Sequence, residues 1–274
     1  MIIIREGINP INPANMSGTE KEVYDQKMSA STPYYYDSAD ELLFELKVRA
    51  AIVEAAAALE KSNASFASFS KSRGNDKYWT RTDNGGFRLK QNARPSAAIR
   101  DIYANGRAYA FECAMAIVVV LYKAVLDTIG TEAFDRLFGN LYLYSWEHDS
   151  DLPLITVKSR QPTFAGDVLY YKNPDYDPKT PQWQGENVVK MPGNLLFGHG
   201  IGIKNEAGII RELNYHRKRG SKVSAYLLDQ VTYPNFQELM GEARTDYRTH
   251  PSVPCLPPGW IGGRIGSRLQ IYSS

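Results

Sequence analysis

The sequence has only two cysteines, Cys113 and Cys255, among its 274 residues. Two cysteines are too few for a disulfide framework, and no spacing of Cys and His residues matches a metal site. We therefore expect a protein that is made in a reducing compartment and holds no metal ion. Cys255 lies in a segment rich in Pro and Gly and is predicted to be a passive thiol.

An excess of charge of one sign is also missing. The 32 Lys and Arg residues nearly balance the 30 Asp and Glu residues, so that the net charge at pH 7 is +2. This small net charge predicts neither nucleic acid nor an anionic membrane as a partner.

Long uninterrupted apolar runs are absent as well. The segment Met1–Arg5 is too short for the core of a signal peptide, and the apolar run after Glu112 is interrupted by Lys123 and Asp127. We expect neither a secretion signal nor a membrane-spanning helix.

What is present is typical of a globular protein, with 43% hydrophobic and 23% charged residues. A chain of this length can bury a substantial core, and we predict one compact domain at residues 34–231. Residues 1–33 contain Asn-Pro, Ser-Gly and Thr-Pro pairs and are predicted to form an extended leader. Residues 232–274 are predicted to form a Pro- and Gly-rich tail that lies over the domain as an extended strap.

Helical patterns fill the first half of the predicted domain. Ser38–Glu41 is a capping-box pattern, and apolar residues continue from it at helical spacing to Leu59. Further helices are predicted at about 95–103 and 131–138. The most apolar helical pattern begins after Gly106 and ends at Asp127–Gly130.

Strand patterns are concentrated in the second half. One hairpin is predicted earlier, where two short alternating segments flank the turn residues Asp83–Gly86. Later strands are predicted at Gly166–Lys172, Glu186–Met191 and Leu195–Ile203. Helices followed by an antiparallel sheet indicate the α+β fold class.

Cys113 lies in the first turn of the most apolar helix. The positive end of the helix dipole favours the thiolate there, and the thiolate is the nucleophilic form of cysteine. A cysteine is also a small hydrophobic residue that packs well at the start of a core helix. Position alone leaves both interpretations open.

Glu186 and His199 are the candidate partners of this thiol. If either Gly193-Asn194 or Pro192-Gly193 forms a two-residue turn, the side chains of Glu186 and His199 lie on one face of the hairpin. Such a pair is either part of a site or a polar pair on a solvated strand face. A thiol at a helix start and a His on a following sheet are typical of Cys/His nucleophilic sites, and together they favour the functional interpretation.

Five short motifs follow one another along the chain: Tyr109–Ile117, Gly166–Pro174, Gln182–Asn187, Gly198–Gly202 and Ser224–Leu228. Together they resemble the spore-coat transglutaminases, the protein-glutamine gamma-glutamyltransferases of endospore-forming bacteria. The resemblance covers about residues 34–231, and five motifs in the same order make it specific.

The resemblance implies a single compact domain related to the NlpC-like branch of papain-like folds, in which a nucleophile at a helix N-terminus packs on an antiparallel sheet. It implies that Cys113 is the nucleophile, that Glu186 is its main partner and that His199 supports Glu186. Glu112 is expected to replace Glu186 in part. Backbone N–H groups at the helix start are expected to bind the oxyanion.

The resemblance also implies a tunnel that shields the thiol from water. The residues that match the tunnel are Phe66, Phe69, Trp146, Trp183 and Asn187. No calcium and no cofactor are expected.

The function implied is the formation of ε-(γ-glutamyl)lysine cross-links between Gln and Lys side chains of proteins, through a Cys thioester. We expect a monomer that is made in the cytoplasm of the mother cell and acts on proteins of the spore coat. One alternative is an NlpC-like cysteine hydrolase of cell-wall peptides. Another is a structural coat protein in which Cys113 is only packed in the core.

Overall fold

A computed structural model describes residues 1–5, 11–158, 162–249, 260–265 and 268–273. The α-helices of these residues are α1 (Gly18–Ser29), α2 (Ala39–Lys61), α3 (Pro95–Ala104), α4 (Cys113–Ile129), α5 (Thr131–Leu137), α6 (Glu206–Tyr215) and α7 (Phe236–Thr249). No helix in this part of the chain combines the length and the apolar character needed to span a bilayer.

Strands of the first half are short. They are β1 (Ile2–Ile4), β2 (Tyr34–Tyr36), β3 (Ser65–Phe66), β4 (Trp79–Arg81), β5 (Phe87–Leu89), β6 (Ala110–Phe111) and β7 (Tyr142–Leu143). Strands of the second half are β8 (Leu154–Val157), β9 (Val168–Lys172), β10 (Gly185–Lys190), β11 (Leu195–Gly198), β12 (Gly202–Asn205), β13 (Tyr226–Leu227), β14 (Val231–Pro234), β15 (Trp260–Ile265) and β16 (Arg268–Ser273).

The main sheet is antiparallel and has the strand order β12-β11-β10-β9-β14-β8, with β13 also paired to β9. Helix α4 packs against β10 of this sheet and against α2. A helix that carries a candidate nucleophile therefore lies on an antiparallel sheet, which confirms the predicted α+β fold.

Helices α2 and α4 form the centre of the core. The sequence predicts α2 correctly, since the Ser38 hydroxyl accepts a hydrogen bond from the Glu41 N–H at 3.2 Å and the helix begins at the next residue, Ala39. Helix α4 is buried on nearly all sides because its residues are almost continuously apolar. Only a helix enclosed by other elements is stable with such a sequence.

The leader differs from the prediction because residues 1–33 are not extended throughout. A capping box begins α1: Glu20 N–H donates to the Ser17 hydroxyl, and Ser17 N–H donates to the Glu20 carboxylate. The Ser-x-x-Glu pattern signals this helix in the sequence, but Gly18 at its first position reads as a turn residue. Strand β1 pairs in parallel with β2, so the leader is joined to the rest of the fold.

A buried cluster of charges fixes the leader to the core. Lys27 Nζ lies 2.6 Å from Glu45 Oε1, and Arg49 Nε lies 2.7 Å from the same oxygen. Arg49 also contacts Asp167 Oδ1 at 2.6 Å, just before β9. All four side chains are almost fully buried, so this cluster links α1, α2 and the main sheet.

The tail also differs from the predicted strap. Helix α7 packs against α2, α4 and α5, and Phe236 and Leu239 are buried in the core. Apolar residues at helical spacing in this part of the tail outweigh the Pro and Gly content of the later part. Strands β15 and β16 pair with each other as a hairpin. Cys255 lies outside the described residues, and the division at residues 33 and 231 stays a prediction.

Candidate active site

Helix α4 begins at Cys113, as predicted, and the residue before it caps the helix. The Glu112 carboxylate accepts hydrogen bonds from the N–H groups of Ala114 at 2.9 Å and Met115 at 2.7 Å. The Cys113 sulfur lies 3.6 Å from Glu112 Oε2. Burial raises the pKa of Glu112 above its ordinary value, although the two backbone donors lower it.

This cap changes the expected oxyanion site. The N–H groups of Ala114 and Met115 already donate to Glu112, so they are not free to bind a developing negative charge. The amide of Cys113 itself has no hydrogen-bond acceptor among the described residues. The prediction that several amides of the helix start are available is therefore wrong, and one amide remains.

Glu186 faces the thiol from strand β10. Its side chain is fully buried, and neither carboxylate oxygen has a hydrogen-bond partner among the residues described. Burial raises its pKa well above the ordinary value, while the nearby Cys113 thiol and the His199 backbone amide lower it in part without reaching full hydrogen-bond geometry. An unpartnered buried carboxylate is costly, and such groups occur mainly where they act on protons.

The Cys113 thiol is not the predicted thiolate. Burial raises its pKa well above the ordinary value, and the negative charges of Glu186 and Glu112 raise it further. The backbone amide of Asn187 acts in the opposite direction but does not compensate. The resting thiol therefore keeps its proton, and a nucleophilic role would require a base to remove it.

The hairpin between β10 and β11 has a register that differs from both predicted ones. Gly193 and Asn194 have positive φ and form the turn, and Leu195 N–H donates to Pro192 O. Because Pro192 has no N–H, Met191 N–H donates to Leu195 O instead, at 2.8 Å. One residue is thereby inserted into β10, and Val188 pairs with Gly198.

This bulge separates Glu186 from His199. Residues that pair directly share a face, so Glu186 lies on the face of Val188 and Gly198. His199, one residue after Gly198, points to the other face. The prediction that the carboxylate and the imidazole lie on one face is therefore wrong, and the contribution of His199 to Glu186 is its backbone amide.

The imidazole of His199 packs against β3 and β6. Its ring stacks on Phe111 at 4.9 Å, and its Nε2 lies 3.2 Å from Ser65 O. Strand β3 places Ser65 there because it pairs in parallel with β6, which immediately precedes Glu112. Burial lowers the pKa of His199 to about 4, so the ring is neutral at neutral pH.

The two glycines beside His199 allow close approach, as the sequence predicts. A Cβ atom at Gly198 would lie 3.0 Å from Glu186 Oε1, and one at Gly200 would lie 2.7 Å from the Phe66 ring. Gly200 also has φ +96°, which disfavours other residues. The predicted strand Leu195–Ile203 is consequently interrupted by a turn between β11 and β12.

A cavity of about 670 Å³ opens onto Cys113. Three of the predicted tunnel residues line it: Phe69, Trp146 and Asn187. The other two, Phe66 and Trp183, do not line it. The centroids of their rings lie 5.2 Å apart, and both residues pack in a hydrophobic cluster that is separate from the main core around α2 and α4.

Several lining residues were not predicted from the sequence. Tyr170 on β9 pairs directly with Asn187 on β10, and both residues line the cavity. Gln184, Gln230 and Thr232 add polar groups to the wall. Alternation along β9 does not identify Tyr170, since its neighbours Val168 and Leu169 line the cavity as well. No group of three or more His, Cys, Asp or Glu side chains in the described ranges is placed to hold a metal ion.

Comparisons with known proteins agree with this geometry. The family described as TGL, protein-glutamine gamma-glutamyltransferase, matches residues 1–243. A protein-glutamine gamma-glutamyltransferase of Bacillus licheniformis is 44% identical over 222 residues, which cover 81% of this chain and 90% of the relative. One of Bacillus subtilis is 48% identical over 208 residues, or 75% of this chain and 84% of the relative.

A solved structure is also similar. It is a transglutaminase from Geobacillus stearothermophilus without its C-terminal extension, with 50% sequence identity and a TM-score of 0.72. The match covers 76% of this chain and 99% of that structure. The chain therefore belongs to the protein-glutamine gamma-glutamyltransferase family and is a transglutaminase.

Proposed function

We propose that Cys113 is the nucleophile of this transglutaminase and that Glu186 is its base. The observation that carries the proposal is a fully buried carboxylate without a hydrogen-bond partner, facing a protonated thiol at the wall of a cavity. Burial raises the proton affinity of the carboxylate and so makes Glu186 a stronger base than an ordinary Glu.

In the first half of the reaction Glu186 accepts the thiol proton and the Cys113 sulfur attacks the side-chain carboxamide of a protein Gln. The amide N–H of Cys113 stabilises the oxyanion. Ammonia leaves with a proton that Glu186 returns, and a thioester joins the Gln side chain to Cys113.

In the second half a neutral Lys amine attacks the thioester. Glu186 accepts the amine proton and returns a proton to the Cys113 sulfur. The product, which contains the ε-(γ-glutamyl)lysine bond, is then released from the enzyme. Water competes with the amine, and its attack gives deamidation instead of a cross-link. The rings of Phe69 and Trp146 in the cavity wall favour the amine because they limit water around the sulfur.

Glu112 and His199 have supporting roles in this proposal. Glu112 is close enough to the sulfur to accept its proton when Glu186 is absent, but it also caps α4. His199 positions Glu186 through its backbone amide and holds the turn after β11 against Phe111. Phe66 and Trp183 support the cavity from the core, without contact with substrate.

The setting of the reaction is proposed from the family resemblance. The enzyme is a monomer, needs no calcium, is made in the cytoplasm of the mother cell and cross-links proteins of the spore coat. Activity in excess EDTA tests the calcium claim, and detection of the protein in isolated coat fractions tests the location.

Incorporation of a labelled primary amine into a Gln-containing protein tests the chemistry. The wild-type chain should incorporate the amine and release ammonia, whereas Cys113→Ala should do neither. Because Cys255 is the other cysteine, Cys255→Ser is the matched control and should remain active. Equal incorporation by Cys113→Ala and wild type would disprove the role of Cys113.

A further inference from the structure

Positive charge is concentrated in the second half of α6 and in the loop that follows it. Between residues 211 and 222 the chain has five Lys or Arg residues and one Glu, whereas the net charge of the entire chain is +2. The cations are Arg211, Arg217, Lys218, Arg219 and Lys222. All except the half-buried Arg217 are exposed.

Contacts within the protein use only part of this charge. Lys218 Nζ lies 3.2 Å from Asp175 Oδ1, and the Arg217 guanidinium donates to two backbone carbonyls. Arg219 and Lys222 are exposed and have no ion-pair partner among the described residues, and the same holds for Lys179 in the adjacent loop. We call Lys179, Arg219 and Lys222 the basic surface.

The two loops that carry the basic surface are fixed to each other. The rings of Trp183 and His216 stack at 3.9 Å with an interplanar angle of 4°. Asp177 N–H donates to His216 O at 3.0 Å, and Lys218 N–H donates to Asp175 O at 2.9 Å. The positive charge therefore has a defined place relative to the site.

The loop of Lys179 continues into the wall of the cavity of Cys113. Pro181 and Gln182, which follow Lys179 closely in the chain, line the cavity, and so does Leu228 after β13. Tyr215 is 81% exposed and Tyr226 is 44% exposed on the same segment. Exposed aromatic rings next to unpaired cations are typical of surfaces that bind other proteins.

We propose that the basic surface docks an acidic segment of the protein that supplies the Gln, so that its carboxamide enters the cavity from this side. The inference rests on the proposed function and adds the class of acyl donor. Acidic residues around a Gln complement the unpaired cations, whereas an acceptor Lys carries a positive charge that these cations repel. A protein segment is favoured over nucleic acid because the substrates of this family are proteins.

Exposed charges change the rate at which enzyme and substrate associate, and not the rate of the chemical step. They raise the association rate of a complementary partner by about 10- to 10³-fold at low ionic strength, and salt screens the effect over about 8 Å at physiological ionic strength. The preference for an acidic donor should consequently reside in kcat/KM and decline with added salt, while kcat stays constant.

The test compares two Gln peptides with one labelled amine. One peptide has a single Gln flanked by Asp and Glu, and the other has Asn and Ser in their place. The triple variant Lys179→Glu, Arg219→Glu, Lys222→Glu reverses the basic surface. The control variant Lys61→Glu, Arg94→Glu, Arg107→Glu makes the same change in net charge at exposed cations that do not line the cavity.

We expect wild type and control to prefer the acidic peptide by about tenfold in kcat/KM at low salt. The triple variant should lose this preference and keep its kcat/KM for the neutral peptide. Equal use of both peptides by wild type, or an unchanged preference in the triple variant, would overturn the inference while amine incorporation persists. The inference would also be overturned if a single-stranded oligonucleotide competed for the basic surface more strongly than the acidic peptide does. Failure of wild type on both peptides would instead refute the proposed function.

Discussion

At the scale of single residues, the central feature is a thiol that its surroundings keep protonated. The dipole of a helix start contributes about 0.3–1 kcal/mol, which corresponds to less than one pKa unit. Burial of an ionisable group shifts its pKa by up to about 3–5 units. For Cys113, burial and two carboxylates oppose the dipole and keep the thiol neutral. In the proposed mechanism, Glu186 accepts its proton.

Glu186→Gln should make the Cys113 thiol more acidic and yet reduce the rate of acyl transfer. The substitution removes a negative charge that raises the pKa of Cys113, so the pKa of the thiol should fall. Acyl transfer should fall as well, because the base is gone. The pH dependence of iodoacetamide alkylation measures the thiol pKa when Cys255→Ser leaves Cys113 as the single cysteine.

Glu112→Gln is the matched control for this experiment. Its amide oxygen can still accept one of the two N–H groups that Glu112 caps, while the negative charge is removed and Glu186 is kept. A rise in the thiol pKa of Glu186→Gln would contradict the proposed contact between the carboxylate and the sulfur.

At the scale of elements, the charge cluster that joins α1 and α2 is the main connection of the leader. Burial alone would raise the pKa of Glu45, but the charges of Arg49 and Lys27 outweigh it and lower the pKa to about 2. The unfolded value is higher, at about 4.5. The stability that Glu45 contributes is therefore complete above the unfolded pKa and is lost as the pH falls from about 4.5 to about 2.

Glu45→Gln should lower the free energy of unfolding at pH 7 by about 3–5 kcal/mol, since it leaves buried cations without their shared partner. Urea unfolding measured between pH 7 and about pH 2 tests both the size of the effect and its pH window. The control is Asp25→Asn, which removes the exposed pair with Lys21 on α1 and should change stability by less than about 1 kcal/mol. Equal effects of the two variants would show that the buried cluster does not stabilise the fold.

The elements also show why the site was only partly predictable. Helical spacing and Ser38 identify α2, and the run after Glu112 identifies α4, because these signals are local. The face of His199 depends on one hydrogen bond that Pro192 cannot donate. A missing N–H shifts the register by one residue and reverses the side chains beyond the turn.

At the scale of the whole molecule, the sequence predicts the α+β fold but not how the leader and the first part of the tail pack. Gly18 at the start of α1 reads as a turn residue in the sequence. The Pro and Gly residues that follow α7 make its segment read as part of an extended tail. Trp183 and Phe66 have the composition expected of a cavity wall, yet they pack in the core. Which aromatic ring faces a cavity depends on the tertiary arrangement, and no local pattern determines it.

The whole fold also assigns different tasks to the two candidate partners of the thiol. The Glu186 carboxylate lies close to Cys113, whereas the bulge at Pro192 puts the His199 ring on the other face of the hairpin, where it stacks on Phe111. A ring with a pKa of about 4 is a weak base for a thiol whose pKa is raised. The account therefore requires a carboxylate, and not an imidazole, as the base.

The most direct test is kcat/KM for amine incorporation by Glu186→Gln and His199→Gln, with circular dichroism to show that both variants are folded. Glu186→Gln should lose about 10²- to 10⁴-fold, the usual contribution of a general base, with the remaining activity carried by Glu112. His199→Gln should lose less than about tenfold, since its backbone amide is retained. A folded His199→Gln as inactive as Cys113→Ala, beside a Glu186→Gln close to wild type, would contradict the account.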